Sequence, residues 1–140
     1  MLREFTPEVR AFLESMKVPG VLSTLGRQGE PVTSAVWFGL LDGDIIISTP
    51  AERPKARNAR ADARVSFVVD TKEMPYRGVA IEGEAEVIDD PGASLMASIA
   101  HRYLGPELPE AMRERLARGE RVVLRIHPRR VRPWNLGVSE

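Results

Sequence analysis

Cysteine is absent from the 140 residues, which removes disulfides, thiolate nucleophiles and Cys-ligated metal sites together. Such a chain suits a reducing compartment. Histidine is scarce: His101 and His127 are the only two, and neither stands at ligand spacing to a carboxylate cluster or beside a serine in an elbow motif. No triad is legible. Net charge is missing as well, because twenty basic and twenty acidic residues cancel and leave no overall field to attract nucleic acid or an anionic membrane. No apolar run approaches the ~20 residues of a membrane span, and the opening MLREFTPEVR carries charges where a secretory leader needs an apolar stretch. We expect a soluble, cytoplasmic protein with neither a membrane nor a nucleic-acid partner, and no metal site. Repeats, low-complexity segments and interdomain linkers are lacking too, so residues 1–140 are read as one domain large enough for a real core.

What is present is organised around Ile45 to Val69, which reads strand, loop, short helix, strand. Ile45, Ile46 and Ile47 form a β-branched run that Ser48-Thr49-Pro50 ends, and Val65 to Val69 begins another. Between them Pro54 suits a first helical position, and Lys55-Ala56-Arg57-Asn58-Ala59-Arg60 are mostly good helix formers. A helix start, the Ser48 and Thr49 hydroxyls and the cations Arg53 and Lys55 could therefore converge on a phosphate. Lys55 and Asn58, three apart, share a helix face in this reading. Arg57 and Arg60 read as a solvated face paired with Glu52 and Asp62. A wholly solvated basic helix is the plain alternative for the entire group.

The remaining elements follow in order. Thr6-Pro7-Glu8-Val9 reads as cap, first-turn proline and acidic turn, and Val9, Phe12, Leu13 and Met16 predict an amphipathic helix ending near Pro19-Gly20. Val21–Leu25 and Val32–Phe38 read as a hairpin across Gly26 to Pro31, the second strand half buried on both faces. Leu41-Asp42-Gly43-Asp44 supplies the next turn. From Val79 to Ile88, Val79, Ile81, Ala85 and Val87 alternate with Glu82, Glu84 and Glu86, which predicts a core face and a wet face. Asp89-Asp90-Pro91 caps a helix with Leu95, Met96, Ile99 and Tyr103. A second helix runs from Pro109 to Arg118, and Arg121–Arg132 returns as a strand interrupted at Pro128. Six strands with helices at the N-terminus and between the last two predict an α+β fold, a small antiparallel barrel. Trp37, next to the small segment Thr33-Ser34-Ala35, leaves room for a flat ring, or else serves as core or dimer interface.

These runs together resemble a known family. Val21-Leu22-Ser23-Thr24-Leu25, Pro31 through Val36-Trp37-Phe38-Gly39, Ile47-Ser48-Thr49, Lys55-Ala56-Arg57-Asn58 and Asp62-Ala63-Arg64-Val65 match, in order and spacing, the pyridoxamine 5'-phosphate oxidase-like split β-barrel superfamily. The deazaflavin (coenzyme F-420)-dependent reductases look like the nearest branch. The closing Val-Leu-Arg-Ile and Val-Arg-Pro-Trp are similar to it too. The resemblance implies a six-stranded antiparallel split β-barrel with flanking helices, a homodimer with its cofactor in a groove between subunits, and a small-molecule substrate. It places the cofactor phosphate near Ser48, Thr49, Arg53 and Lys55, with Ile47 and Asn58 in the same motifs and Val36 and Trp37 bordering the ring. Tyr76 and Arg77 would reach in from the other subunit. Ala59 and Ala63 depart from the Leu and Pro common in the family. Strand two lacks the basic residue that FMN-using oxidases place near the flavin, which favours F-420 over FMN. The implied activity is hydride transfer from reduced F-420 to a small conjugated molecule. An FMN-dependent flavoprotein and a carrier of flavin or tetrapyrrole without turnover are the alternatives. The resemblance assigns no catalytic residue.

Overall fold

The computed structural model describes residues 2–136. Helix α1 (Pro7–Ser15) starts where expected, with Thr6 Oγ1 accepting the Val9 N–H at 3.2 Å. It stops short of Pro19-Gly20 because Met16 has already turned to extended backbone. The strands are β1 (Gly20–Leu25), β2 (Pro31–Val36), β3 (Gly39–Leu41), β4 (Asp44–Pro50), β5 (Arg64–Asp70), β6 (Gly78–Asp89) and β7 (Arg121–Trp134). Helix α2 (Pro54–Ala61) joins β4 to β5; α3 (Ser94–Leu104) and α4 (Glu110–Leu116) lie between β6 and β7. Ahead of α3 comes a 3-10 turn at Pro91–Ala93. The buried Asp90 carboxylate caps the helix beyond it, accepting the N–H groups of Leu95 (2.9 Å) and Met96 (3.0 Å).

All strands join one antiparallel sheet in the order β2-β1-β5-β6-β7-β4-β3. There are seven strands where six were expected, because Gly39–Leu41, just beyond the run from Val32 to Phe38, forms a short strand of its own. The first part of that run pairs with β1 at one edge, and after Trp37-Phe38 the chain pairs with β4 at the opposite edge. Three chain steps from Val36 to Gly39 span at most about 10 Å. The two edges must therefore curl toward each other, which makes the sheet a barrel split between β2 and β3. Phe38 at the crossing is fully buried, edge-on to Phe67 at 5.5 Å between ring centres.

The core inside the curl gathers Val9, Phe12 and Leu13 of α1 with Leu22, Ile45, Ile47, Ile81, Leu124 and Ile126. A smaller cluster of Ile46, Ile99 and Val123 lies beneath α3. Strand β2 corrects another expectation. Pro31, Val32, Thr33 and Ala35 are exposed, so as an edge strand in the single chain it is not half buried on both faces.

Strand β7 runs unbroken through Pro128. Glu82 pairs with Arg130 but Gly83 with Pro128, so Arg129 is the extra residue of a bulge, where a proline without an N–H costs the ladder little. Gly83 is required there, since a Cβ on it would sit 2.2 Å from the His127 carbonyl oxygen. Gly83→Ala is expected to cost about 1–3 kcal/mol or more, read as a lower midpoint in urea with unchanged slope. A variant as stable as the parent would show that the bulge can move.

The wet face of β6 also differs from expectation. Glu82 pairs with Arg132, Glu84 with Arg129 at 2.7 Å, and Glu86 with His127 at 2.8 Å. The carboxylates thus face basic side chains of β7 across the ladder as well as water. No group of metal-binding side chains occurs among the described residues.

Candidate cofactor site

A cavity of about 600 Å³ opens where the end of β2, the end of β4, the start of α2, the side of α3 and the α4–β7 connection meet. Strand β4 builds its floor, continuing through Ser48-Thr49-Pro50 instead of ending before them, because these residues pair with Val123, Val122 and Arg121 of β7. That register sets the Arg121 guanidinium against Ser48, its Nε–H donating to Ser48 Oγ at 3.1 Å. Past Pro50 the Arg53 N–H bonds back to the Pro50 carbonyl, and α2 begins at Pro54. Ala56 and Ala59 are the buried residues of α2, and their small side chains let the helix lie close on the sheet. Lys55 is turned into the cavity as a result.

Val36, Trp37, Ser48, Thr49, Arg53 and Lys55 all line this cavity. Ile47, Asn58, Tyr76 and Arg77 do not. Ile47 is wholly buried in the core. Asn58 donates from Nδ2 to Thr24 Oγ1 at 3.1 Å and borders a separate hollow beside Gly26 and Arg27, so Lys55 and Asn58 do not open onto the same space. Tyr76 is exposed, its carbonyl accepting from Asn135, and the Arg77 guanidinium lies 5.7 Å from the centre of the Phe12 ring. Thr49 is itself buried, and its hydroxyl donates to the Pro50 carbonyl at 3.2 Å.

The pairing expected for α2 changes too. Arg60 donates from Nη1 to the Ala51 carbonyl at 2.8 Å and so ties down the loop entering the helix. Asp62 pairs instead with Arg64 at 2.7 Å, whose hydrogen bonds hold its carboxyl down to about 2.

Part of the cavity lining is apolar: Val36 and Trp37, with Met96 and Ile99 of α3. Trp37 is stacked on Tyr103 with ring centres 4.7 Å apart and planes within 4°, so Tyr103 covers one of its faces. The Tyr103 hydroxyl accepts the Phe38 N–H at 3.1 Å and donates to the Val18 carbonyl at 2.9 Å; burial pushes its pKa up. Sequence reasoning had seen Tyr103 only as a helix-face residue.

Another part of the lining is charged. Arg53, Lys55, Arg115, Arg118 and Arg121 face Glu52 and Glu120, five cations against two carboxylates. Lys55 titrates below its ordinary range, first because it is partly buried and second because Arg53 is beside it. Arg121 is lowered likewise by burial and by Arg115, with Asp90 and Glu52 opposing. Nothing local in the sequence joins Arg115, Arg118 or Arg121 to Ser48; the β4–β7 pairing brings Arg121 there, and Arg115 and Arg118 lie just ahead of that strand. Neither histidine lines the cavity. His101 Nδ1 is 2.9 Å from the Gly105 carbonyl, and His127 is held between Glu86 and Asp44.

Helices outside and between the strands of a curled seven-stranded antiparallel sheet, with a cavity beside the split, define an α+β split barrel. The family model for pyridoxamine 5'-phosphate oxidase matches residues 5–135, and the chain belongs to that family. No curated protein matches it in sequence. Among solved structures it is similar to a conserved hypothetical protein of Mycobacterium tuberculosis, at 31% identity over 100% of this chain and 93% of that one (TM-score 0.77). It is similar to an F-420 reductase at 25% identity over 91% of this chain and 98% of that one (TM-score 0.74). A heme-binding protein from Mycobacterium smegmatis also matches at 25% identity, over 90% of this chain and 52% of that one (TM-score 0.65). No helix among the described residues is long and apolar enough to cross a membrane.

Proposed function

We propose that this protein is an oxidoreductase that binds reduced coenzyme F-420 in the cavity beside Trp37 and Lys55 and acts on a small conjugated organic molecule. The observation that carries this reading is the pairing of an apolar, aromatic lining with cations that have no carboxylate partner. Among the described residues none of Arg53, Lys55, Arg115, Arg118 and Arg121 makes an ion pair. The arrangement fits a flat ring joined to a phosphate. The similarity to an F-420 reductase supports the choice of cofactor.

When bound, the deazaflavin supplies a hydride to the acceptor. The chain's own residues bind and orient. Arg53 and Lys55 offset phosphate charge through charge-assisted hydrogen bonds, and Ser48 is turned by its bond from Arg121. Trp37, backed by Tyr103, gives the ring a rigid surface, while Met96 and Ile99 keep water from the apolar side. No side chain is assigned a proton-transfer role.

The working unit in this proposal is a cytoplasmic homodimer with the cofactor groove at the interface. Strand β2 supports it: its outer edge is unpaired, and Val32, on the same strand as the cavity-lining Val36, is 38% exposed. A free, partly apolar sheet edge is a surface that proteins normally cover. Sedimentation at micromolar concentration is expected to give a dimer, and a monomer there would remove the shared groove.

The deciding experiment is titration of the purified protein with F-420, FMN and heme, followed by absorbance. Saturable binding of F-420, and turnover of quinones or enones with its reduced form, is the expected result. Preference for FMN would mark an FMN-dependent flavoprotein. Heme bound without turnover would mark a carrier, the reading to which the mycobacterial heme-binding relative lends weight.

A further inference from the structure

Arg64, Lys72, Arg125, Arg129, Arg130 and Arg132 each face a carboxylate. Around the cavity five cations gather beside two carboxylates and make no ion pair among the described residues. They fall into two groups on separate elements. Arg53 and Lys55 belong to the start of α2. Arg115 lies on α4, Arg118 just past it, and Arg121 opens β7.

Within each group one cation presses on another. Arg53 lowers the pKa of Lys55, and Arg115 lowers that of Arg121. Holding like charges together costs free energy that an anion between them would recover. The second group is locally constructed as well. The Arg118 N–H donates to the Arg115 carbonyl at 3.2 Å, which closes the turn between them, and Gly119 at φ +63° then swings the chain into β7. Because α4 has no buried residue, its arginines are not needed for packing. One phosphate near Lys55 would leave this group with only the partial offset that Asp90 and Glu52 give Arg121.

We infer that Arg115, Arg118 and Arg121 form a second anion subsite of the cavity, separate from that at Arg53 and Lys55, for a carboxylate or phosphate. The inference rests on the reading of the cavity as a cofactor site and extends it. The second anionic group belongs either to the cofactor, beyond its first phosphate, or to an acidic substrate beside it. Both share the same chemistry, and experiment separates them.

Inorganic phosphate is the probe that needs no identified ligand. Titrated into the labelled protein and followed by amide NMR, it is expected to bind at two places per chain, shifting residues 48–55 and residues 115–121. The double variant Arg115→Ala, Arg118→Ala should abolish the second set of shifts and keep the first within about twofold in affinity. Lys55→Ala should weaken the first about tenfold or more and spare the second. Arg115 and Arg118 are exposed and outside the core, so the double variant is expected to fold. A single binding event, or shifts at 115–121 that survive the double variant, would overturn the second subsite. Cofactor titration then assigns the source. If the second group is the cofactor's, the double variant loses F-420 affinity at least tenfold and keeps that for FMN, which carries one phosphate; if it is the substrate's, both cofactors bind normally and KM rises for acidic acceptors alone. Two phosphate sites in a protein that ignores F-420 would sink the cofactor assignment while leaving the subsite intact.

Discussion

Lys55→Ala is expected to lower cofactor affinity by about tenfold to more than a hundredfold, the equivalent of roughly 1.5–3 kcal/mol for a lost charge-assisted hydrogen bond. The structure sharpens this expectation. Lys55 is half buried instead of lying on a solvated face, and Arg53 is beside it, so in the free protein its charge is held at a cost. Because the folded protein lowers the pKa of Lys55, the folded state binds the proton less tightly than the unfolded one. The resulting destabilisation is complete at neutral pH and fades as pH rises through the lowered pKa toward the ordinary lysine value. Lys55→Ala should therefore melt at or slightly above the wild-type temperature near pH 7.

A bound phosphate reverses that cost and draws the pKa of Lys55 upward. Affinity should accordingly decline as pH climbs above the free-state pKa, and Lys55→Arg, which stays charged, should lose this decline. Arg57→Ala is the proper control, since Arg57 is exposed and outside the cavity. Arg60→Ala is not, because Arg60 holds the Ala51 carbonyl and with it the loop that presents Arg53. Affinity measured for these variants across pH decides the matter. Equal affinity for Lys55→Ala and wild type would remove the phosphate from this end of the cavity.

Phe38→Ala should have the largest effect on stability. Phe38 is completely buried at the crossing from β2 to β3, edge-on to Phe67 and Tyr103, with the Arg102 guanidinium 4.9 Å from its ring centre. Truncating a buried phenylalanine costs about 3–5 kcal/mol through lost transfer energy and the cavity left behind. For a domain of this size that is a fall of roughly 10–20 °C in melting temperature. The loss should reach the ligand cavity too. Arg102, on the other face of the ring, ties α3 to the carbonyls of Leu13 and Met16, and Tyr103 holds both the Phe38 N–H and the Trp37 ring. Calorimetry and ligand titration on the same variant test both parts; a melting point within a few degrees of wild type would mean that the split is closed by something other than Phe38.

Much of this architecture is written locally in the chain. Thr6-Pro7 starts α1, Pro54 starts α2, and the alternation from Val79 to Ile88 defines the core face of β6, because caps, proline and period-two patterning act on neighbours in sequence. Ser48, Thr49, Arg53 and Lys55 stand close enough in sequence for a candidate phosphate site to be proposed there, and all four line one cavity. Tertiary structure decided what depends on residues far apart. The break of β2 at Trp37-Phe38 reflects the two edges that must meet, and the bulge at Arg129 reflects Gly83 across the ladder. Asn58 leaves the Lys55 cavity because Thr24, a strand away, offers it a hydrogen bond. Arg121 reaches Ser48 only through the β4–β7 register, and Arg115 and Arg118, just ahead of β7, line the same cavity. Sequence patterns report the neighbours along the chain, whereas a charged cavity is made by neighbours across the sheet, and pairing register is set by the folded core as a whole.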